Sequence, residues 1–177
     1  MAKASEQIID EILVIDAQAG RAQALEALVA RWHKRLWQHA FRLVGDSEAA
    51  WDVTQQSWLA IIKGLRKLRE PAQFKAWAYQ ITTRKAVDWI RKDQRRKRAA
   101  REAVQRRKCE LAADAEVREL LEKLDVKKKV VLSLYYFEQL NVSEISMALK
   151  IPKGTVRSRL HQAREALRAL WQQCIEE

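Results

Sequence analysis

Arg157, Ser158 and His161, together with Gly154 and Arg168, gather on one side of a helix when residues 152–170 are wound at about 100° per residue. Val156, Leu160, Ala163, Leu167 and Leu170 fall in a narrow stripe on the opposite side. Such a helix packs by one face and offers guanidinium, hydroxyl and imidazole groups by the other. The chemistry open to it is recognition rather than bond making: paired hydrogen bonds to a guanine edge, single bonds to either strand, and charge pairing with phosphate. For this helix taken alone, an ordinary amphipathic segment with a solvated outer face is the alternative.

The element before it narrows the choice. Asn141 followed three residues later by Glu144 has the form of a capping box, and Val142, Ile145, Ala148 and Leu149 supply a short apolar stripe. Ile151-Pro152-Lys153-Gly154 then interrupts the pattern, and proline fits a first helical turn because its missing N–H costs little there. Two helices separated by so few residues predict a helix-turn-helix whose second member is the recognition helix. Lys150 stands where a turn glycine would be more comfortable, and Gly154 leaves room for the backbone to approach a phosphate.

The remainder of the chain must position this pair. With 48% hydrophobic residues, four glycines and two prolines in 177 residues, the composition predicts an all-α protein with real cores. The net charge of +11 points to a polyanionic partner. Ten basic and two acidic residues lie between Arg91 and Lys108, so eight of those eleven charges sit in that one stretch. Cys109 and Cys174 make no metal-ligand spacing with His33, His39 or His161, so reduced thiols and neither metal nor cofactor are expected. The N-terminus lacks the order of a secretion signal and no apolar run reaches membrane-spanning length, which places the expected site of action in the cytoplasm.

In chain order, Ile8, Ile9, Ile12, Leu13 and Ile15 predict a first helix that ends before Gly20. Leu25, Leu28, Val29, Trp32, Leu36, Ala40 and Leu43 predict a second, closed by Gly45-Asp46-Ser47. A third begins near Ser47, with Val53, Ile61, Leu65 and Leu68 inward and Pro71 as its boundary; a fourth reads AQFKAWAYQITTRKAVDWIRK. Six of the seven tryptophans lie in these first ninety residues, too many for one small bundle to enclose, so at least one is expected at the surface as a docking or stacking ring. Residues 93–115 read as a basic linker, whose runs Arg95-Arg96-Lys97-Arg98 and Arg106-Arg107-Lys108 would attract a polyanion at long range. Val117, Leu120, Leu121 and Leu124 predict one helix of a second unit, and Val130, Val131, Leu134 and Phe137 another. The expected architecture is two small helical domains, residues 1–92 and 116–177, the second a four-helix domain containing the helix-turn-helix.

With both halves in view, the chain resembles the extracytoplasmic-function (ECF) group of bacterial sigma factors in the sigma-70 family. The resemblance is densest over LDVKKKVVLSLYYFEQLNVSEISMALKIPKGTVRSRLHQAREAL, from Leu124, which is similar to the family's fourth region; DVTQQSWLAI from Asp52 and FKAWAYQITTRKAVDWIRK from Phe74 are similar to its second. Asp125 replaces a usual proline, Lys150 a usual turn glycine, Gln56 a common glutamate and Arg84 a family asparagine that helps hold a flipped promoter base.

The resemblance implies roles for individual residues. Asp52, Gln55 and Gln56 match the surface that docks on the clamp helices of the polymerase's largest subunit. Gly64, Leu68, Trp77, Ile81, Thr82, Arg84, Lys85 and Asp88 match the surface that opens the -10 element, where an unstacked base needs a pocket and its phosphates need cations. Lys153, Gly154, Thr155, Arg157, Ser158, His161 and Gln162 match the face that enters the major groove at the -35 element. The implied partners are core RNA polymerase, through its clamp helices and flap, promoter DNA and an anti-sigma factor. The implied function is to bind core polymerase, direct it to specific promoters and help open the -10 region. A stand-alone helix-turn-helix regulator and an RNA-binding helical protein are the rivals, and no catalytic constellation is visible.

Overall fold

The computed structural model describes residues 2–99, 121 and 123–176. Seven α-helices are found among them: α1 Ala2–Gln18, α2 Ala22–Val44, α3 Ser47–Leu65, α4 Phe74–Ala99, α5 Val126–Leu132, α6 Val142–Leu149 and α7 Lys153–Glu176. A short 3-10 turn, Pro71–Gln73, leads into α4, and a π-helical turn, Ser133–Phe137, follows α5. Of the expected helix over residues 117–124 only 121, 123 and 124 are among the described residues, and most of the basic linker lies outside them. No described helix is long and apolar enough to cross a membrane.

Local chemistry sets most helix ends. Gly45 ends α2 in the left-handed conformation, φ 77°, with its N–H donating to the Phe41 carbonyl at 2.8 Å. The Asp46 carboxylate then caps α3 by accepting from the Ala49 N–H at 2.8 Å. At the far end of α3, the Gln18 amide from α1 donates to the carbonyls of Leu65 and Leu68, both at 2.8 Å, and so ties down the irregular turn before Pro71. Helix α4 runs seven residues past Lys92, through Arg95–Arg98, because that stretch holds neither Gly nor Pro to stop it.

Helices α1–α4 form the first unit. Leu28, Trp32, Leu36, Ala40 and Leu43 of α2 meet Val53, Trp58, Ile61 and Leu65 of α3 and Phe74, Ala78 and Tyr79 of α4 in its core. Trp32 organises the middle, edge-on to Phe74 at 5.4 Å and to Tyr79 at 5.8 Å, contacts worth roughly 0.5–1.5 kcal/mol each beyond area burial. The second unit packs Val130, Val131, Leu134, Leu140, Ile145, Val156, Leu160 and Ala163 together. Its π-helical turn widens the chain, with the Glu138 N–H bonded to the Ser133 carbonyl at 3.1 Å and the Leu140 N–H to the Leu134 carbonyl at 2.9 Å. Leu134 and Leu140 thereby stay inside, while the Glu138 side chain turns back toward α2 and α4.

That carboxylate joins the two units. It accepts from the Arg42 guanidinium at 2.7 Å and from the Tyr79 hydroxyl, and lies 3.5 Å from Nδ1 of His39. His39, fully enclosed, has Nε2 2.8 Å from the Thr83 hydroxyl and Nδ1 3.3 Å from that of Ser133. Burial alone would raise the Glu138 pKa, but bonding to and the charge of His39, the Tyr79 bond and the Arg42 charge together hold it below the ordinary carboxylate value. Burial, then the Glu138 charge, pushes the Tyr79 phenol up.

A carboxylate with a lowered folded pKa stabilises the contact fully above its unfolded value of about 4.3, and the contribution is lost as pH falls through the lower folded value. The groups acting on it are His39 and Arg42 from α2 and Tyr79 from α4; Thr83 and Ser133 bond to His39, and the Lys129 ammonium donates to the Leu43 carbonyl. Hydrogen exchange at α5 and α6 is therefore expected to accelerate below about pH 4 before exchange in α2 and α3 does.

Candidate nucleic-acid interface

The helix-turn-helix is built from α6 and α7. Asn141 accepts from the Glu144 N–H at 3.0 Å and the Glu144 carboxylate accepts from the Asn141 N–H at 2.6 Å, a complete capping box. Lys150 takes the left-handed turn position at φ 52°, where glycine would be more comfortable; the Ile151 N–H bonds to the Ser146 carbonyl at 3.2 Å and the Ser146 hydroxyl donates to the Ile151 carbonyl at 2.7 Å. These bonds fix the angle at which α7 leaves. Val156, Leu160 and Ala163 are buried beneath it, with Leu167 and Leu170 partly covered.

On the outer side Lys153, Gly154, Arg157, Ser158, His161 and Gln162 are all exposed, and Thr155 is half-buried. The structure thus places these seven residues within an arc of about 200° at the start of a long helix, with Gly154, Arg157, Ser158 and His161 in its most accessible part. The Ser158 hydroxyl donates to the Thr155 carbonyl at 3.1 Å, which leaves its lone pairs free to accept. Arg164 is set apart: its Nε donates to the Tyr136 hydroxyl at 2.9 Å and its guanidinium lies against the Tyr135 and Tyr136 rings, bracing α7 on the π-helical turn.

A second surface lies on the first unit. Gly64, Leu68 and Trp77 line an open cleft of about 480 Å³ with Lys67, Arg69, Glu70 and Gln73. Ile81, Arg84, Lys85 and Asp88 continue from Trp77 along one arc of α4 about 100° wide. Thr82 does not join them. It is fully buried, its hydroxyl donating to the Ala78 carbonyl at 3.1 Å, because it is turned about 140° from Trp77 into the bundle. Nothing in the apolar pattern marks Lys67, Arg69, Glu70 and Gln73 as a site; their one signal is the irregular stretch between Leu65 and Phe74.

Gly64 has a steric reason to be glycine. A Cβ there would stand 2.9 Å from Cζ2 of Trp77, inside van der Waals contact with a ring braced by Phe74. Gly64→Ala is expected to cost about 1–3 kcal/mol in a denaturant melt, and to shift tryptophan emission as Trp77 is displaced. An unchanged melt and spectrum would mean the ring has slack.

A third surface is the outer arc of α3. Asp52, Gln55 and Gln56 are exposed as a group, and beside them stand Trp51, Leu59 and Ile62, 49%, 59% and 44% exposed. Trp51 is held edge-on to His33 at 5.0 Å. The tryptophan count implies an outward ring without saying which, and the apolar pattern does not mark Leu59 or Ile62 as outward.

Two family descriptions, sigma-70 region 2 and sigma-70 region 4, match residues 28–96 and 114–167, together more than half of the chain. The chain belongs to the sigma-70 family. Within the family it stands with the ECF sigma factors. RNA polymerase sigma factor SigV of Bacillus subtilis is 28% identical over 140 residues, covering 77% of this chain and 84% of SigV. The ECF RNA polymerase sigma-E factor of Escherichia coli K12 is 26% identical over 181 residues, covering 92% and 94%. Among solved structures, CnrH in complex with the cytosolic domain of CnrY superposes with a TM-score of 0.72 at 25% identity, over 93% of this chain and 97% of that one. The sigma factor RpoE from Bartonella quintana, 16% identical with the same TM-score over 83% and 96%, shares the fold. Sigma factors are not enzymes in general, which accords with surfaces built for binding.

Proposed function

We infer that this sigma factor binds core RNA polymerase, directs it to specific promoters and helps open the -10 region. The observation that carries this is the pairing of an exposed donor face on α7 with a cleft and cationic arc on α4, each in the half of the chain that matches the corresponding sigma region. A stand-alone regulator would leave the region 2 half without a role.

Our residue assignment follows from accessibility and chemistry. Arg157 and His161 read base edges, Ser158 and Gln162 bond to either strand, and Lys153 with Thr155 clamps phosphate, all at the -35 element. The cleft beside Gly64, Leu68 and Trp77 receives an unstacked base of the -10 element, with Lys67 and Arg69 at its rim and Arg84 and Lys85 for the phosphates. Ile81 and Asp88 flank that path, and Thr82 contributes by holding α4. Asp52, Gln55 and Gln56, with Trp51, Leu59 and Ile62, dock on core polymerase. We take residues 1–92 and 116–177 as the two functional domains and 93–115 as the linker between them.

The site of action in this reading is the cytoplasm, and catalysis is left to the polymerase. A protein partner of the anti-sigma kind is part of the proposal, since the similar CnrH was captured with a second protein. The deciding experiment is reconstitution: core polymerase given this chain should start transcripts at specific promoters and not without it. Tight operator binding by the chain alone, with no effect on core, would overturn the assignment.

A further inference from the structure

Helix α4 does not stop where the first unit does. Trp89 and Ile90 are the last of its side chains packed against the hydrophobic core, yet the helix continues to Ala99. The overhang carries Arg91, Lys92, Arg95 and Arg96, all exposed. None of these four cations has a hydrogen bond or ion pair among the described residues. At about 100° per residue Arg91, Lys92 and Arg95 fall within about 60° of Trp77, on the arc that already holds Arg84 and Lys85, and Arg96 stands at its edge. Asp88 is the one acidic side chain on that arc.

We propose that this overhang is a clamp on the backbone of double-stranded DNA, several base pairs away from the base held in the Trp77 cleft. The inference rests on the promoter-directing reading above and extends its DNA surface to residues that reading leaves unused. The first argument is register. Arg91 to Arg96 lie about 21–28 Å along the helix axis from Trp77, which places them beside DNA about six to eight base pairs beyond an unstacked base, at about 3.4 Å each. Duplex carries one phosphate charge for about every 1.7 Å of axis, so the roughly 8 Å from Arg91 to Arg96 runs past about four, one for each cation.

The second argument is what the stripe lacks. Single strands are held by stacking their bases on aromatic rings, and beyond Ile81 this arc offers only charge. A row of cations on a rigid helix fits a duplex backbone, whose bases stay stacked and whose phosphates carry no sequence information. The third argument is the spacing of the charges themselves. Arg91 with Arg95 and Lys92 with Arg96 are like charges four residues apart, an arrangement that weakens an isolated helix. The helix dipole favours cations only in the last turn, residues 96–99, and so does not offset the repulsion among Arg91, Lys92 and Arg95. Phosphates on the same face do.

The test uses the full chain carrying Arg91→Gln, Lys92→Gln, Arg95→Gln and Arg96→Gln together, which removes charge and keeps helix propensity. A second variant inserts a pair of alanines between Ile90 and Arg91, turning the overhang about 200° with its charge intact; a third inserts four, which returns it to within about 40°. Each is assembled with core polymerase on DNA opened at the -10 element, whose upstream duplex either stops about four base pairs from the unstacked base or continues to about ten, short of the -35 element. Parent and four-alanine proteins should bind the longer duplex at least about tenfold tighter, while the Gln and two-alanine variants gain little; on the longer duplex the Gln variant should also lower the slope of log affinity against log salt by about 3. Equal gains by all four proteins overturn the clamp. So does a two-alanine variant that matches the parent, since charge without register is then sufficient. If the Gln variant loses as much when the upstream duplex is replaced by single strand or by RNA, the overhang holds another polyanion and the duplex assignment falls. Absence of promoter-specific transcription by the parent would instead sink the promoter-directing reading. The salt slope of the free chain on non-promoter duplex, parent against Gln variant, then judges the clamp by itself, equal slopes overturning it.

Discussion

Changing Trp51 to Ala together with Leu59 to Ser is expected to weaken binding to core RNA polymerase at least about thirtyfold, equivalent to roughly 2 kcal/mol. Trp51, Gln55, Leu59 and Ile62 fall within about 80° of one another around α3 and point away from the bundle. Three large apolar side chains left in water beside Asp52, Gln55 and Gln56 make a surface with an apolar centre and a polar margin. Aromatic anchors of that kind carry most of the energy of protein interfaces, while their polar neighbours exclude water and fix orientation. Folding should suffer little, because the buried side of α3 is formed by Val53, Trp58, Ile61 and Leu65, whereas Trp51 contributes edge-on packing against His33 at the surface. Titration of labelled chain with core polymerase, alongside thermal melts, separates the cases. Unchanged affinity moves the docking surface elsewhere; a large fall in melting temperature makes Trp51 structural.

The parts of this molecule that were legible in the sequence are those fixed by short-range chemistry. Gly45-Asp46 and Asn141 with Glu144 give helix ends that match the bonds seen, and the stripe through Val156, Leu160 and Ala163 orients α7 because a 3.6-residue period leaves one buried side. What escaped depends on neighbours distant in sequence. The π-helical turn at Ser133–Phe137 leaves no mark in the apolar pattern, since Leu134 reads as inward in either geometry, yet it aims Glu138 at α2 and α4. The family resemblance groups Thr82 with Trp77 and Ile81, whereas its angular position on α4 turns it inward. The tryptophans show the limit most clearly: Trp51 and Trp58 are separated by about 20° around α3, yet one is half-exposed and the other buried, because the packing of α2 and α4 rather than the helix period draws that line.

Arg157→Ala should cost roughly 1–3 kcal/mol in -35 binding and should relax preference at one base pair while leaving the others in force. Arg157 is exposed in the first turns of α7, about 90° around the helix from the stripe of Val156, Leu160 and Ala163, and no hydrogen bond or ion pair within the described residues holds its guanidinium. It is therefore available to a partner, and a planar fork of donors matches a guanine's two major-groove acceptors. Arg157→Lys should not restore the preference, because a single ammonium cannot reproduce the paired bonds, although it keeps the charge. Lys153→Ala provides the contrast, for a phosphate contact is indifferent to sequence. Its loss should weaken all duplexes alike and lower the slope of log affinity against log salt by about 1. Measuring both variants against a panel of single-base changes at two salt concentrations checks the assignment. If Arg157→Ala weakens every duplex equally and flattens the salt slope, it is a phosphate clamp, and base reading must pass to His161 and Gln162 farther along the same face.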